Sequence, residues 1–160
     1  MPKGIDSGLI YVTIEHIFEH LILPLITNFP LHYMRLKNFS LPVGTQIFKS
    51  LSDESRVRIL NLLLAKKEIC ITDVEQLLEF TQTKSSRHLT YLKNSGMLST
   101  EKKDQWVFYS IKDEVHDIVS QMLSFLNRDA TLQKDIATFE TLDSNRELAK
   151  NKFDKRHWMG

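Results

Sequence analysis

Short hydrogen-bonding side chains and one arginine recur at helical spacing between residues 81 and 95. On a wheel of 100° per residue, Thr83, Arg87 and Thr90 fall within about 60° of one another, and Leu89 and Leu92 fall on the other side. An arginine can fork onto a guanine edge or a phosphate, and small hydroxyl side chains can bond bases or phosphates without blocking close approach. This face is therefore predicted to enter a DNA groove.

Basic residues concentrate in the same part of the chain. The whole sequence has a net charge of +1, but residues 81–103 hold five lysines and arginines against one acid. A local excess of this kind suits a phosphate backbone, whereas the total charge gives no argument for nucleic acid. The predicted DNA-binding residues are Gln82, Thr83, Ser86, Arg87 and Thr90 for the major groove, and Lys84, Lys102 and Lys103 for phosphates.

The elements that must position these side chains are readable from local signals. An amphipathic helix is predicted over 53–65, and a capping box from Thr72 to Glu75 predicts a short helix through Glu79. A third helix follows the break at 81–83 and runs to about Ser95, where Gly96 suits a left-handed cap. Two helices joined by so tight a turn predict a helix-turn-helix.

A β-hairpin and a further helix are predicted after the helix-turn-helix. Residues 97–100 and the aromatic run 106–111 favour two strands joined by the polar tip 101–105, which is the arrangement of a wing. Apolar residues recur at helical spacing between 113 and 127. The fold class expected from this order is mainly α with a small β-hairpin, a winged helix-turn-helix.

From about Gln46 to Leu126 the chain resembles the ArsR/SmtB family of winged-helix repressors. The matching stretches are FKSLSDESRVRILNLLL, EICITDVEQLL, TQTKSSRHLTYLKNSGML and WVFYSI. The resemblance implies a homodimeric repressor that occludes an operator, with the 83–95 helix as recognition helix and the 98–111 hairpin as wing. It also implies dimerisation through residues around 41–50 and the last helical stripe. The interface residues expected on that stripe are Val115, Ile118, Met122 and Phe125.

Many members of that family release DNA when a metal or metalloid binds, so their ligand positions matter here. The family pattern E-L-C-V-C-D reads Glu68-Ile-Cys70-Ile-Thr72-Asp73 in this chain, and Thr72 replaces the second cysteine. A soft metal or arsenite site needs two or three thiolates. The family's second pattern, D-x-H-x10-H-x2-E, is also broken, since His116 is one place late and Asn127 replaces the other histidine. No metal site and no cofactor are expected, the inducer is unknown, and Cys70 is only a weak sensor candidate.

Residues 1–38 form an apolar N-terminal extension of unassigned purpose. Met34 is followed by basic residues and would itself serve as a chain start, in which case the extension is not part of the native product. His16, Glu19 and His20 match H-x-x-E-H, a zinc hydrolase pattern with Glu as general base, which is a remote alternative because no third ligand or cleft is evident.

Composition sets the remaining expectations. With 160 residues, 42% of them hydrophobic, and one cysteine, the chain suits a folded domain over 39–127 with a polar tail over 128–160, in a reducing cytoplasm. No membrane-spanning or leader segment is evident, and no enzyme is expected. The second hypothesis is a winged helix that associates with proteins and does not bind DNA.

Overall fold

A computed structural model describes residues 38–149 and 151. The expectations for the N-terminal extension, including the His16, Glu19 and His20 pattern, lie outside these residues. In chain order, the described elements are α1 (Leu41–Leu51), α2 (Glu54–Lys66), β1 (Glu68–Cys70), α3 (Ile71–Leu78), α4 (Gln82–Asn94), β2 (Leu98–Lys103), β3 (Trp106–Ile111), α5 (Asp113–Ser124) and α6 (Ala130–Ser144). The helix-turn-helix predicted from the sequence is formed by α3 and α4.

Local capping explains where the central helices begin and end. The Asp53 carboxylate accepts a hydrogen bond of 3.0 Å from Arg56 N at the start of α2. The Thr81 hydroxyl accepts one of 3.3 Å from Lys84 N at the start of α4. Gly96 follows α4 with a φ of +79°, the left-handed conformation that glycine adopts without a steric penalty. The Asp53 and Thr81 side chains thus satisfy backbone N–H groups that a helix leaves unpaired at its first turn.

The start of α3 differs from the prediction. Cys70 is the N-cap, and the buried Asp73 accepts 3.3 Å from Cys70 N and 2.8 Å from Ala149 N. The capping box expected from Thr72 to Glu75 is therefore wrong. Strand pairing keeps the chain extended as far as Cys70, so the helical turn begins at once after it, and Thr72 Oγ1 instead lies 2.8 Å from Cys70 Sγ.

The β structure has three antiparallel strands in the order β1-β3-β2. Strands β2 and β3 form the predicted hairpin, with Lys103 opposite Trp106 and a tight turn in which Asp104 has a φ of +53°. Aspartate tolerates this left-handed conformation better than most residues. Strand β1 has no local signal in the sequence; it pairs with the far side of β3 and places Cys70 opposite Phe108.

The larger of two apolar clusters among the described residues lies around α2. Four residues on two successive turns of α2 are buried, namely Ile59, Leu60, Leu62 and Leu63. Helices α4 and α5 and strands β1 and β3 pack against α2. The buried core residues include Leu89 and Leu92 of α4 and Val115, Val119 and Leu123 of α5. Helix α4 is therefore held on its apolar side by the core, and its other side is left to solvent.

Within the polar tail predicted over 128–160, the described residues include a helix, α6, that packs on the core. Helix α6 packs on α2 and α3, and its Phe139 is buried in the same core as Leu148. Arg58 of α2 donates two hydrogen bonds of 2.7 Å each to the buried Asp135 of α6. The polar composition of α6 masks this packing, because only three of its 15 residues are buried. In the described part of the chain, no helix is long and apolar enough to cross a membrane.

Candidate nucleic-acid interface

Helix α4 has one exposed face of small polar side chains. The predicted groove-facing residues are all exposed, namely Gln82, Thr83, Ser86, Arg87 and Thr90. On the opposite side, Ser85, His88, Leu89 and Leu92 are buried. The structure thus brings the predicted reading residues together on one surface, with their backbone fixed by the core below.

A shallow groove of about 350 Å³ runs beside the C-terminal half of α4. It is lined by Arg87, Thr90 and Asn94 of α4 and by Gln46 of α1. Gln46 is not among the predicted DNA-binding residues, because nothing in the local sequence pattern indicates that α1 lies beside α4. Its amide can donate and accept hydrogen bonds, so the groove extends the polar surface beyond α4 itself.

Lys84 sits differently from the other predicted contacts. Its Nζ lies 3.6 Å from the centre of the Phe80 ring, and its side chain is half-buried. A cation above an aromatic face is attracted by the electron-rich ring. Lys84 is therefore held at the N-terminal end of α4, which is the positive end of the helix dipole and attracts anions.

The two wing lysines have different environments. Lys102 is exposed, whereas Lys103 is half-buried with its Nζ 2.8 Å from Glu68 Oε2 and 3.5 Å from Glu101 Oε2. The hydrogen bond to Glu68 raises the pKa of Lys103, which keeps the ammonium charged inside the wing. Two carboxylates already neutralise that charge, so Lys102 remains the better candidate for a phosphate contact.

His88 is a buried packing residue of α4. Its Nδ1 lies 3.6 Å from Asp53 Oδ1, and its Nε2 has no hydrogen-bond partner among the described residues. Burial lowers the pKa of His88, and the Asp53 carboxylate opposes this effect in part. The imidazole therefore lies between the reading helix and the start of α2, away from the exposed face.

Cys70 is buried beneath the C-terminal segment. It packs against Phe108 and Ala149, and burial raises the pKa of its thiol. A thiol in these surroundings is a poor nucleophile and a poor metal ligand, since both roles need the thiolate. Among residues 38–149, no three His, Cys, Asp or Glu side chains converge in a way that could hold a metal ion.

The residues expected at a dimer interface divide into two groups. Met122 and Phe125 are exposed, Phe125 to 83%, and Ile118 is half-buried. The prediction that Val115 lies at the dimer interface is corrected, because Val115 is only 5% exposed and packs in the core of its own chain. The buried stripe of α5 consists of Val115, Val119 and Leu123. After Val115, it therefore runs one position beyond the predicted Ile118 and Met122. Helix α1 adds Leu41, Val43 and Phe48, which are also exposed.

The family model described as "Bacterial regulatory protein, arsR family" matches residues 53–100. The arsenic resistance transcriptional regulator ArsR1 of Pseudomonas putida is 39% identical over 77 residues, which are 48% of this chain and 60% of that protein. The arsenical resistance operon repressor of Bacillus subtilis is 33% identical over 84 residues, 52% of this chain and 80% of that protein.

A solved structure shows the same fold. The homodimeric winged helix-turn-helix DNA-binding domain of a Mycobacterium bovis protein, described as a possible ArsR-family regulator, matches with a TM-score of 0.50. The sequences are 20% identical, and the match covers 54% of this chain and 81% of that one. The described domain is a winged helix-turn-helix, as the sequence predicted.

Proposed function

The chain belongs to the arsR family of bacterial regulatory proteins, and on that premise we propose that it is a sequence-specific DNA-binding transcription regulator. The exposed polar face of α4 carries this proposal. Arg87 stands at its centre, flanked by hydroxyl side chains one turn away on either side. Such side chains can reach base edges in the major groove, which is wide enough for an α-helix.

The reading surface we propose combines base and phosphate contacts. Gln82, Thr83, Ser86, Arg87 and Thr90 face the major groove, while Lys84 and Lys102 meet phosphates. Lys103 contributes indirectly by holding the wing to β1 through Glu68. Phosphate contacts set the register of the protein on the duplex, and the contacts to base edges supply specificity.

We further infer that the active species is a homodimer. Helix α1 exposes Leu41 and Phe48, and the end of α5 exposes Met122 and Phe125. Large exposed apolar side chains grouped in this way mark association surfaces. A twofold pair of subunits would present two α4 helices to successive turns of one face of the DNA, as dimeric helix-turn-helix proteins do.

Repression by occlusion of a promoter is the simplest mode of action for such a dimer. It requires no catalysis, so we propose a regulator that is not an enzyme, acting in the cytoplasm where a bacterial operator is found. The arsenic in the names of its relatives does not transfer to the described residues. Cys70 is a lone, buried thiol, and a soft metalloid needs at least two thiolates.

Selection from a random duplex library tests the proposal. The purified protein should enrich a sequence with twofold symmetry and should bind it at least about a thousandfold more tightly than a scrambled duplex at the same salt concentration. Specificity must be measured at a stated salt concentration because phosphate contacts alone give strong binding in low salt. Equal affinity for the selected and scrambled duplexes would remove the proposed function.

A further inference from the structure

The last turn of α1 is joined to α2 by the guanidinium of Arg56. Arg56 Nε donates 2.8 Å to the Ser50 carbonyl, and Nη2 donates 2.6 Å to the Lys49 carbonyl. The final carbonyls of a helix have no partner within that helix, and they carry the negative end of its dipole. A cation that donates to two of them fixes the end of α1.

The same guanidinium also touches the reading helix. Its Cζ lies 4.2 Å from the centre of the Tyr91 ring of α4, and the Arg56 side chain is only 12% exposed. The planar guanidinium can stack on an aromatic face while its edge donates hydrogen bonds, which lysine cannot do. Arg56 therefore contacts α1 and α4 at once, from a position on α2.

A second contact joins α1 and α4 at the same junction. The Ser50 hydroxyl, which is fully buried, lies 2.9 Å from the hydroxyl of Ser95 at the end of α4. It also donates 2.8 Å to the Gln46 carbonyl. The junction is thus polar and hydrogen-bonded around the buried Ser50, so the two helices keep a fixed relative position.

We propose that Arg56 is a positioning residue that locks the reading helix to the helix of the dimer surface and so sets the half-site spacing that the protein accepts. This inference rests on the proposed function. In a dimer joined through α1, the distance between the two α4 helices depends on how rigidly each is held to its own α1. Half-site spacing is the DNA property that reports this distance.

The experiment uses the duplex that the unaltered protein selects, together with duplexes in which one base pair is added or removed between the half-sites. For the unaltered protein we expect these changes to weaken binding by at least about tenfold, a typical penalty for one misplaced contact. In Arg56→Met, which keeps side-chain length but loses the charge and the fork, we expect the penalty to fall below about threefold, while binding to scrambled DNA is unchanged.

Arg58→Lys is the matched control. Arg58 lies two residues along the same helix but bonds α6 through Asp135, so its substitution perturbs the domain without touching the α1–α4 junction. This variant should keep the full spacing penalty. If Arg56→Met keeps it too, or if both variants lose it equally, Arg56 has no positioning role.

Two variants at Tyr91 keep the inference testable if Arg56→Met fails to fold. Tyr91→Phe retains the ring under the guanidinium and should keep the spacing penalty, whereas Tyr91→Leu removes the ring and should relax it. Identical spacing penalties in both Tyr91 variants would overturn the inference. If the unaltered protein selects no duplex, the proposed function fails, and that result is distinguishable because it precedes any comparison of variants.

Discussion

Lys103 Nζ and Glu68 Oε2 lie 2.8 Å apart, although 35 residues separate them in the sequence. The pair joins the tip of β2 to the start of β1, across the strand β3 that lies between them. Its consequence is mechanical, because the wing is fixed at its outer end by a charged hydrogen bond as well as by the strand ladder.

The two wing lysines should therefore respond differently to substitution. Lys102→Ala should lower the slope of log affinity against log salt concentration by about 2, because the dimer loses one phosphate contact in each of its two subunits. Lys103→Ala should leave that slope nearly unchanged and should lower the thermal stability slightly. Binding titrations at several salt concentrations measure both slopes. A larger change in slope for Lys103→Ala would reverse the assignment.

Arg87→Ala should abolish discrimination between the selected and scrambled duplexes. One bidentate contact to a guanine contributes about 1–3 kcal/mol of discrimination, and two subunits lose it together. The melting temperature should hardly change, because the side chain is exposed and the core beneath α4 is intact. Arg128→Ala, an exposed arginine outside the reading helix, is the control and should retain specific binding. Undiminished discrimination by Arg87→Ala would remove this residue from the base-reading set.

Local signals in the sequence predict helix α4 well. Contacts between residues far apart in the sequence could not be predicted from local pattern. Asp53, Thr81 and Gly96 act within one turn of their own position, so their caps are visible in the sequence. Strand β1 has only three residues, and it exists because β3, some 40 residues later, offers a free edge. The same holds for Asp135, whose partner Arg58 is 77 positions away. No local sequence signal identifies β3 as the partner of β1 or Arg58 as the partner of Asp135.

The Arg58–Asp135 pair should be a major support of α6. In Arg58→Met the buried Asp135 carboxylate loses its partner, and we expect the free energy of unfolding to fall by about 3 kcal/mol. Adding Asp135→Leu should recover part of this loss, since an apolar pair can replace a buried ion pair. Urea unfolding measures all three proteins. A double variant less stable than Arg58→Met would contradict this account.

The stability of the domain should decrease as the pH falls below about 6.5, the ordinary pKa of histidine. Burial lowers the pKa of His88 in the folded protein, so at mildly acidic pH the unfolded chain binds a proton that the folded chain excludes. Proton binding lowers the free energy of the unfolded state relative to the folded state, so the free energy of unfolding decreases. Urea unfolding at pH 7.5 and pH 5.5 measures the difference.

His88→Gln should reduce this pH dependence because its side chain does not titrate. The matched control is His116→Gln, since His116 lies on the exposed side of α5 and should have little influence. The two variants separate the buried imidazole from a general acid effect. A pH dependence unchanged by His88→Gln would show that other groups cause it.

The exposed apolar residues of α1 and α5 should determine the oligomeric state. Phe48→Ser and Phe125→Ser together should shift the protein from dimer to monomer, because the proposed interface loses two large aromatic side chains. Sedimentation equilibrium measures the dissociation constant. Val107→Ser is the control, since Val107 is an exposed apolar residue of the wing and should leave the dimer intact. A chain that is monomeric without any substitution would contradict the homodimer directly.

The hydrogen bond from Ala149 N to the Asp73 carboxylate also has a consequence for biosynthesis. A ribosome must add 76 residues after Asp73 before it supplies this donor. At typical rates of synthesis that delay is about 4 to 15 s, and α4 and the wing are synthesised within it. The Asp73 carboxylate therefore receives this hydrogen bond only after residue 149 has been added, so the first turn of α3 completes its hydrogen bonding after the rest of the helix-turn-helix has been synthesised.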